Sequence, residues 1–202
     1  MPLLGDHGII ASKRCNDVSI QNNVVYDNAN AGIMLHRSSD NAIVRNNTVS
    51  GSGDACIAIF ESMEGDYSNN TCTENKYGFR WSVGASYNKI YDNQIYDSTQ
   101  YGIYMYKGSD EPYVTDGLPS YNIIADNLID TATEGIKIGD TVGNEFTGNV
   151  ITNTADLRFR ESDQLIWKDN TIPVGVDIDP EGSCFTADSD MDQLGPEAIS
   201  CS

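Results

Sequence analysis

Lysine and arginine are scarce in this chain, and their placement is its most chemical feature. There are twelve in 202 residues, against thirty Asp and Glu. Lys13, Arg37, Arg80, Lys107 and Lys137 all fall in short segments that alternate apolar and variable residues, at a variable position or at the segment's end. Tyr104, Tyr106 and the histidine His36 take variable positions in the same kind of segment. Cations neutralise carboxylates, and flat aromatic rings suit sugar rings. A chain of formal charge −18 that collects its few cations beside aromatics therefore reads as a holder of an extended anion. The plainer account is solvated surface charge, with tyrosines stacking between neighbouring strands. The first account requires that all these residues share one face.

The segments that carry them repeat. They are Gly8-Ile9-Ile10-Ala11-Ser12-Lys13, Gly32-Ile33-Met34-Leu35-His36-Arg37, Cys56-Ile57-Ala58-Ile59-Phe60-Glu61, Gly78-Phe79-Arg80-Trp81-Ser82-Val83, Gly102-Ile103-Tyr104-Met105-Tyr106-Lys107 and Gly135-Ile136-Lys137-Ile138-Gly139-Asp140. Second and fourth positions are apolar and predict a core-facing column; third and fifth positions face out, and the sixth is a rim. In phase with them run Asn23, Asn47, Asn70, Asn93, Asn127, Asn149 and Asn170, spaced 24, 23, 23, 34, 22 and 21 residues. Each opens a short apolar stretch after a polar turn residue such as Asn22, Asn46, Asn69, Asp92 or Asp126. Stacked copies of such an Asn can form an amide ladder, and Asn suits the tight turn itself.

Self-similarity at this period means stacked supersecondary units. No stretch shows helical periodicity, so each coil is made of short strands and turns. The reading is an all-β, right-handed parallel β-helix, a solenoid of about seven coils of 21–24 residues. Parallel strands are expected at 8–12, 32–36, 56–60, 78–82, 102–106 and 135–138. Residues 1–172 form the repeats, with an insertion loop at 108–118 expected beside the groove. Residues 173–202 form an acidic C-terminal cap or tail, where calcium is the one metal considered; no other cofactor or metal is called for. Arg158 and Lys168 are placed away from the functional columns. No polar N-terminal cap precedes the first coil, so the chain reads as N-terminally truncated.

Composition sets outer bounds. An acidic chain with pI near 4.1 argues against nucleic acid, and no apolar run is long enough to span a membrane. Cys56 and Cys72 read as small apolar filler, while Cys184 and Cys201 could pair if the protein is secreted. Asn46-Asn47-Thr48 and Asn69-Asn70-Thr71 match the glycosylation pattern, though the ladder turns already account for them.

The ordered outward residues resemble a known family. His7-Gly8-Ile9-Ile10-Ala11-Ser12-Lys13-Arg14-Cys15-Asn16-Asp17, Tyr26-Asp27-Asn28, Gly32-Ile33-Met34-Leu35-His36-Arg37-Ser38-Ser39-Asp40-Asn41, Asp54-Ala55-Cys56-Ile57-Ala58-Ile59-Phe60-Glu61-Ser62 and Lys76-Tyr77-Gly78-Phe79-Arg80 are similar to the mannuronan C5-epimerases, closest to the brown-algal branch. The resemblance covers roughly residues 5–155. It implies a secreted or cell-wall β-helix, expected to be a monomer, that converts β-D-mannuronate to α-L-guluronate within alginate, an anionic polysaccharide. Removing H5 beside a carboxylate builds up enolate charge, so a fixed cation, a base and an acid are needed. The resemblance places carboxylate neutralisation at Lys13 or Arg14. With it, Arg37, Arg80 and Lys107 are expected to hold neighbouring uronates, and the placement of His7, His36, Glu61, Tyr104 and Tyr106 on or beside the outward columns adds them as expected substrate contacts.

One departure matters. The family's catalytic His lies in an Asp-Pro-His-Asp type motif, and this chain has none. The base is expected upstream, and His36 is the groove-facing candidate within the chain. The 202 residues are accordingly expected to bind oligomannuronate without epimerising it. Two rival functions share these columns, an alginate or polyuronate lyase and a non-catalytic polysaccharide-binding β-helix.

Overall fold

The computed structural model describes residues 6–113, 115–131 and 133–202. Parts of three expectations, the start of the repeats at residues 1–5, residue 114 of the insertion and residue 132, lie outside the described residues. The chain winds into a parallel β-helix whose coils supply three sheets around one core. Among the described residues the first sheet has eight strands: Ile9–Ser12, Ile33–His36, Ala55–Phe60, Tyr77–Ser82, Tyr101–Tyr106, Glu134–Gly139, Asp156–Arg160 and Asp177–Asp179. The second has seven, from Ser19–Gln21 to Ile166–Lys168, and the third six, from Val24–Tyr26 to Val150–Thr152. Neighbours within each sheet pair in parallel with their copies one coil away. All six expected segments are strands of the first sheet.

The apolar second and fourth positions do fill the core. Ile33, Leu35, Ile57, Ile59, Phe79, Trp81, Ile103, Met105, Ile136 and Ile138 are all buried, together with Phe146, Phe159 and Trp167 from later coils. Burial of this apolar column is the main stabilising term. The Asn ladder is continuous. Nδ2 of Asn23, Asn47, Asn70, Asn93, Asn127 and Asn149 donates to Oδ1 of the next member at 2.9–3.0 Å. Each interior Nδ2 also donates to a carbonyl of the preceding coil, as Asn70 does to Val44. The polar corner residues before it take left-handed backbone, from Asn22 through Asn46, Asn69, Asp92 and Asp126.

A second ladder was not anticipated. Asn88 donates to Asn122 at 3.0 Å and Asn122 to Asn144 at 2.9 Å. Its members stand five residues before Asn93, Asn127 and Asn149, so the same spacing encodes both. Two further readings need correction. Cys56 and Cys72 are not independent filler but form a disulfide, 16 residues apart. Other coils set a glycine against a Val or Ile at this place: a Cβ on Gly32 would lie 2.2 Å from Val49 Cγ1. The third coil replaces both partners at once. Arg158, read as remote from the columns, pairs with Lys137 in the first sheet. Its strand has neither the glycine nor the cysteine that opens the other copies, which hid it.

After Ile172 the chain remains engaged with the solenoid. Asp177–Asp179 extends the first sheet, Cys184–Phe185 pairs with Ile199–Ser200, and Cys184 bonds Cys201. Phe185 and Leu194 are buried in the main core. Among the described residues no helix is long and apolar enough to cross a membrane.

Candidate polysaccharide-binding face

Register puts the outward residues into columns. Along the first sheet one column runs Ile10, Met34, Ala58, Arg80, Tyr104, Lys137, Arg158, and the next runs Ser12, His36, Phe60, Ser82, Tyr106, Gly139, Arg160. At about 4.8 Å per coil the stretch from Ser12 to Gly139 covers about 24 Å. Alternation breaks at the repeat glycine, which itself faces the core as Cys56 does, so the residue before it faces out and forms a third column, Ala55, Tyr77, Tyr101, Glu134 and Asp156. That column was missed, although each of Tyr77, Tyr101 and Glu134 directly precedes its repeat glycine. Met34 and Ala58 are buried despite facing out, because Ala31, Ala55, Tyr77, Tyr101, Phe60 and Tyr104 pack around them. The middle of the face is thus apolar and aromatic, with charge at its edges.

At one end lie Lys13 and Arg14, both exposed and both left-handed, with φ of 60° and 65°. Among the described residues neither forms an ion pair. His36 sits beside them. Its Nδ1 is 2.9 Å from Ser12 Oγ, and its ring lies 4.9 Å from that of Phe60. Partial burial, then the charge of Arg37, holds His36 below the ordinary imidazole range, so it is neutral at neutral pH. His7 accepts the Ala31 amide at 3.2 Å through Nδ1, which ties it to the first turn.

Arg37 is heavily engaged. Its guanidinium lies 3.5 Å from Glu61 and 3.3 Å from Asp110, and it donates to the Glu111 carbonyl at 3.2 Å. It also packs over Tyr113 and Phe60, 4.3 and 5.1 Å from the ring centroids. Glu61, expected to touch substrate, is fully buried beneath Arg37 and accepts the Tyr113 amide. Arg80 pairs with Asp54 at 3.0 Å. Neither pair was foreseen.

The aromatic end is built from four tyrosines. Tyr104 and Tyr106 stack at 4.5 Å and 16°, and Tyr104 also packs on Tyr77 and Tyr101. Burial, then Tyr106 and the other phenols, pushes the Tyr104 pKa up to about 12, so it remains a neutral donor. Lys137 donates to Tyr101 Oη at 3.0 Å and Lys76 lies over Tyr77. Tyr104, Tyr106, Lys137, Asp140, Arg160 and Glu161 line a cavity of about 260 Å³. Lys107 is exposed on the rim next to it. Among the described residues, no group of three or more His, Cys, Asp or Glu is placed to hold a metal ion.

The site residues therefore share one face, but as two clusters. Lys13, Arg14, His7, His36, Arg37 and Glu61 occupy the first three coils; Tyr104, Tyr106 and Lys107 the fifth, with Arg80 between. Such a surface can stack sugar rings and pair carboxylates along an extended chain. Comparison with known proteins agrees with the architecture. A family described as right-handed β-helix region matches residues 7–174. No curated protein sequence matches the chain. Among solved structures, a crystal structure of a double mutant of the periplasmic alginate epimerase AlgG is similar, with a TM-score of 0.53 at 20% identity. The alignment covers 94% of this chain but 38% of that one. At this identity the likeness is one of fold.

Proposed function

From the premise that the chain belongs to the right-handed β-helix family over residues 7–174, we propose that it is a mannuronan C5-epimerase-like protein acting on alginate. The observation that carries this reading is the single outward face on which cations and stacked tyrosines stand in register. Fold likeness to an alginate epimerase supports it. In this reading the polymer lies along the coils. Tyr104 and Tyr106 stack a ring, Lys107 and Lys137 take carboxylates, and Lys13 or Arg14 neutralises the carboxylate next to the H5 that is removed. A lysine gives a point charge there, whereas Arg14 could make a two-point contact. Two disulfides support a location outside the reducing cytosol.

A non-catalytic polyuronate-binding solenoid is the second reading. It is favoured by the lack of an Asp-Pro-His-Asp stretch in these residues. One experiment addresses both: oligomannuronate is titrated into the protein, then incubated with it in deuterium oxide and followed by proton NMR. Saturable binding that weakens with salt is expected, without exchange at C5. Deuterium at C5 with guluronate signals would show that these residues contain a base, with His36 the first candidate, and an unsaturated product absorbing in the ultraviolet would mean a lyase. No binding to oligomannuronate would sink the reading altogether.

A further inference from the structure

We infer that Asp110 is a specificity-determining residue that occupies Arg37 in place of a substrate carboxylate and must be displaced by it. This rests on the polyuronate-binding reading above. Arg37 holds two carboxylates of different character. Glu61 is fully buried and fixed beneath it, whereas Asp110 is half exposed and contacts the guanidinium from the solvent side. The outer position is the one an incoming carboxylate would take.

The route by which Asp110 arrives supports a purpose beyond closing a turn. It belongs to the insertion after Lys107, in the fifth coil, yet Arg37 lies in the second, 73 residues earlier. The loop therefore runs back along the coil axis past the fourth coil to the Arg37 guanidinium, which lies over Phe60 and beside Glu61 of the third. Thr115 lies against the fourth coil, since a Cβ on Gly84 would meet its Oγ1 at 1.9 Å. Asp110 also helps line a cavity of about 180 Å³ with Phe60, Arg80, Ser82 and Tyr106. The stack does not need the loop, because strand pairing continues on both sides of it. Nor does an ion pair this exposed add much stability. Its consequence is selective: a neutral polysaccharide gains nothing that offsets loss of the Arg37–Asp110 contact, while a polyuronate replaces one carboxylate with another.

The test compares wild type, Asp110→Asn and Asp116→Asn by calorimetric titration with polymannuronate and, separately, polygalacturonate, at two salt concentrations. Asp116 is an exposed acid on the same loop whose hydrogen bond among the described residues is to its own turn, at the Leu118 amide, and it controls for net charge. Removing the competitor should tighten polyuronate binding about two- to fivefold beyond the Asp116→Asn control. The salt dependence should steepen, because binding then creates a contact instead of exchanging one. Equal affinity and salt dependence in the two variants would overturn the inference. If polygalacturonate binds and polymannuronate does not, the alginate reading fails while the competition at Arg37 stands or falls on the variant comparison. If no polyuronate binds any of the three proteins, both fail.

Discussion

Cys56 and Cys72 form a disulfide where neighbouring coils set Gly32 against Val49 and Gly78 against Ile95. Both sulfurs belong to fully or almost fully buried residues of the core. A cross-link of this loop length is worth about 3 kcal/mol through the unfolded chain. Replacing both cysteines by serine should cost at least that in chemical denaturation, since two hydroxyls are then buried. Cys56→Gly with Cys72→Val recreates the pairing of the coil before, and should recover part of the loss. Equal stability of the two double variants would show that packing at this point does not follow the glycine–valine pattern.

The interior Asn ladder should be far less tolerant than the corner that precedes it. Asn70 is fully buried. It donates to Val44 O and Asn93 Oδ1, and accepts from the amide and side chain of Asn47. Asn70→Ala strands these partners and should cost about 2–4 kcal/mol. Asn69 next to it is exposed with φ of 54°, so Asn69→Ala should cost about 1 kcal/mol of backbone strain. Thermal melts of the two variants measure the difference, and a similar loss in both would deny the ladder its role.

The coil and its ladder were readable because they depend on local chemistry repeated at a fixed period. Alternation sorts Ile103 and Met105 inward and Tyr104 and Tyr106 outward without reference to anything distant. The Arg37 cluster was not readable in that way. Asp110, Glu111 and Tyr113 reach it through an aperiodic insertion, and no spacing rule links residues 73 apart by a loop. The disulfide lay between these cases. Cys56 and Cys72 each break a column, and two departures at positions that touch in every other coil form a legible signal once the columns are seen as contacts. Arg158 was misplaced because its strand, Asp156–Arg160, keeps the alternation but lacks the opening glycine or cysteine.

His36 should titrate below the ordinary imidazole value, mainly because partial burial disfavours its charged form. The folded state then binds this proton less readily than the unfolded chain. Its contribution to stability is present above the unfolded value near 6.5 and is lost as pH falls through the lower, folded value. Proton NMR of the ring should give a midpoint under 6.5. His36→Asn should reduce the fall in stability between neutral and mildly acid pH relative to wild type. A midpoint at or above 6.5 would contradict the burial argument.

Free and engaged cations on the binding face should differ in how they respond to truncation. Lys13 and Lys107 are exposed, and among the described residues neither forms an ion pair. Their charge is available to a polyuronate without breaking anything. Arg80 is held by Asp54 at 3.0 Å, so a carboxylate gains there only by sharing or replacing that partner. Lys13→Ala and Lys107→Ala should each weaken polymannuronate binding about two- to fivefold at low salt, with the difference shrinking as salt rises. Arg80→Ala should cost less in direct attraction. It also leaves Asp54 without its cation in the third and fourth coils, which repels the polymer and adds to the loss. Lys168, in the second sheet, lies off the face, so Lys168→Ala should change affinity little at any salt concentration. Calorimetry on the four variants separates these contributions. If Lys168→Ala weakens binding as much as Lys107→Ala does, attraction comes from overall charge and the first sheet is not the polymer's seat.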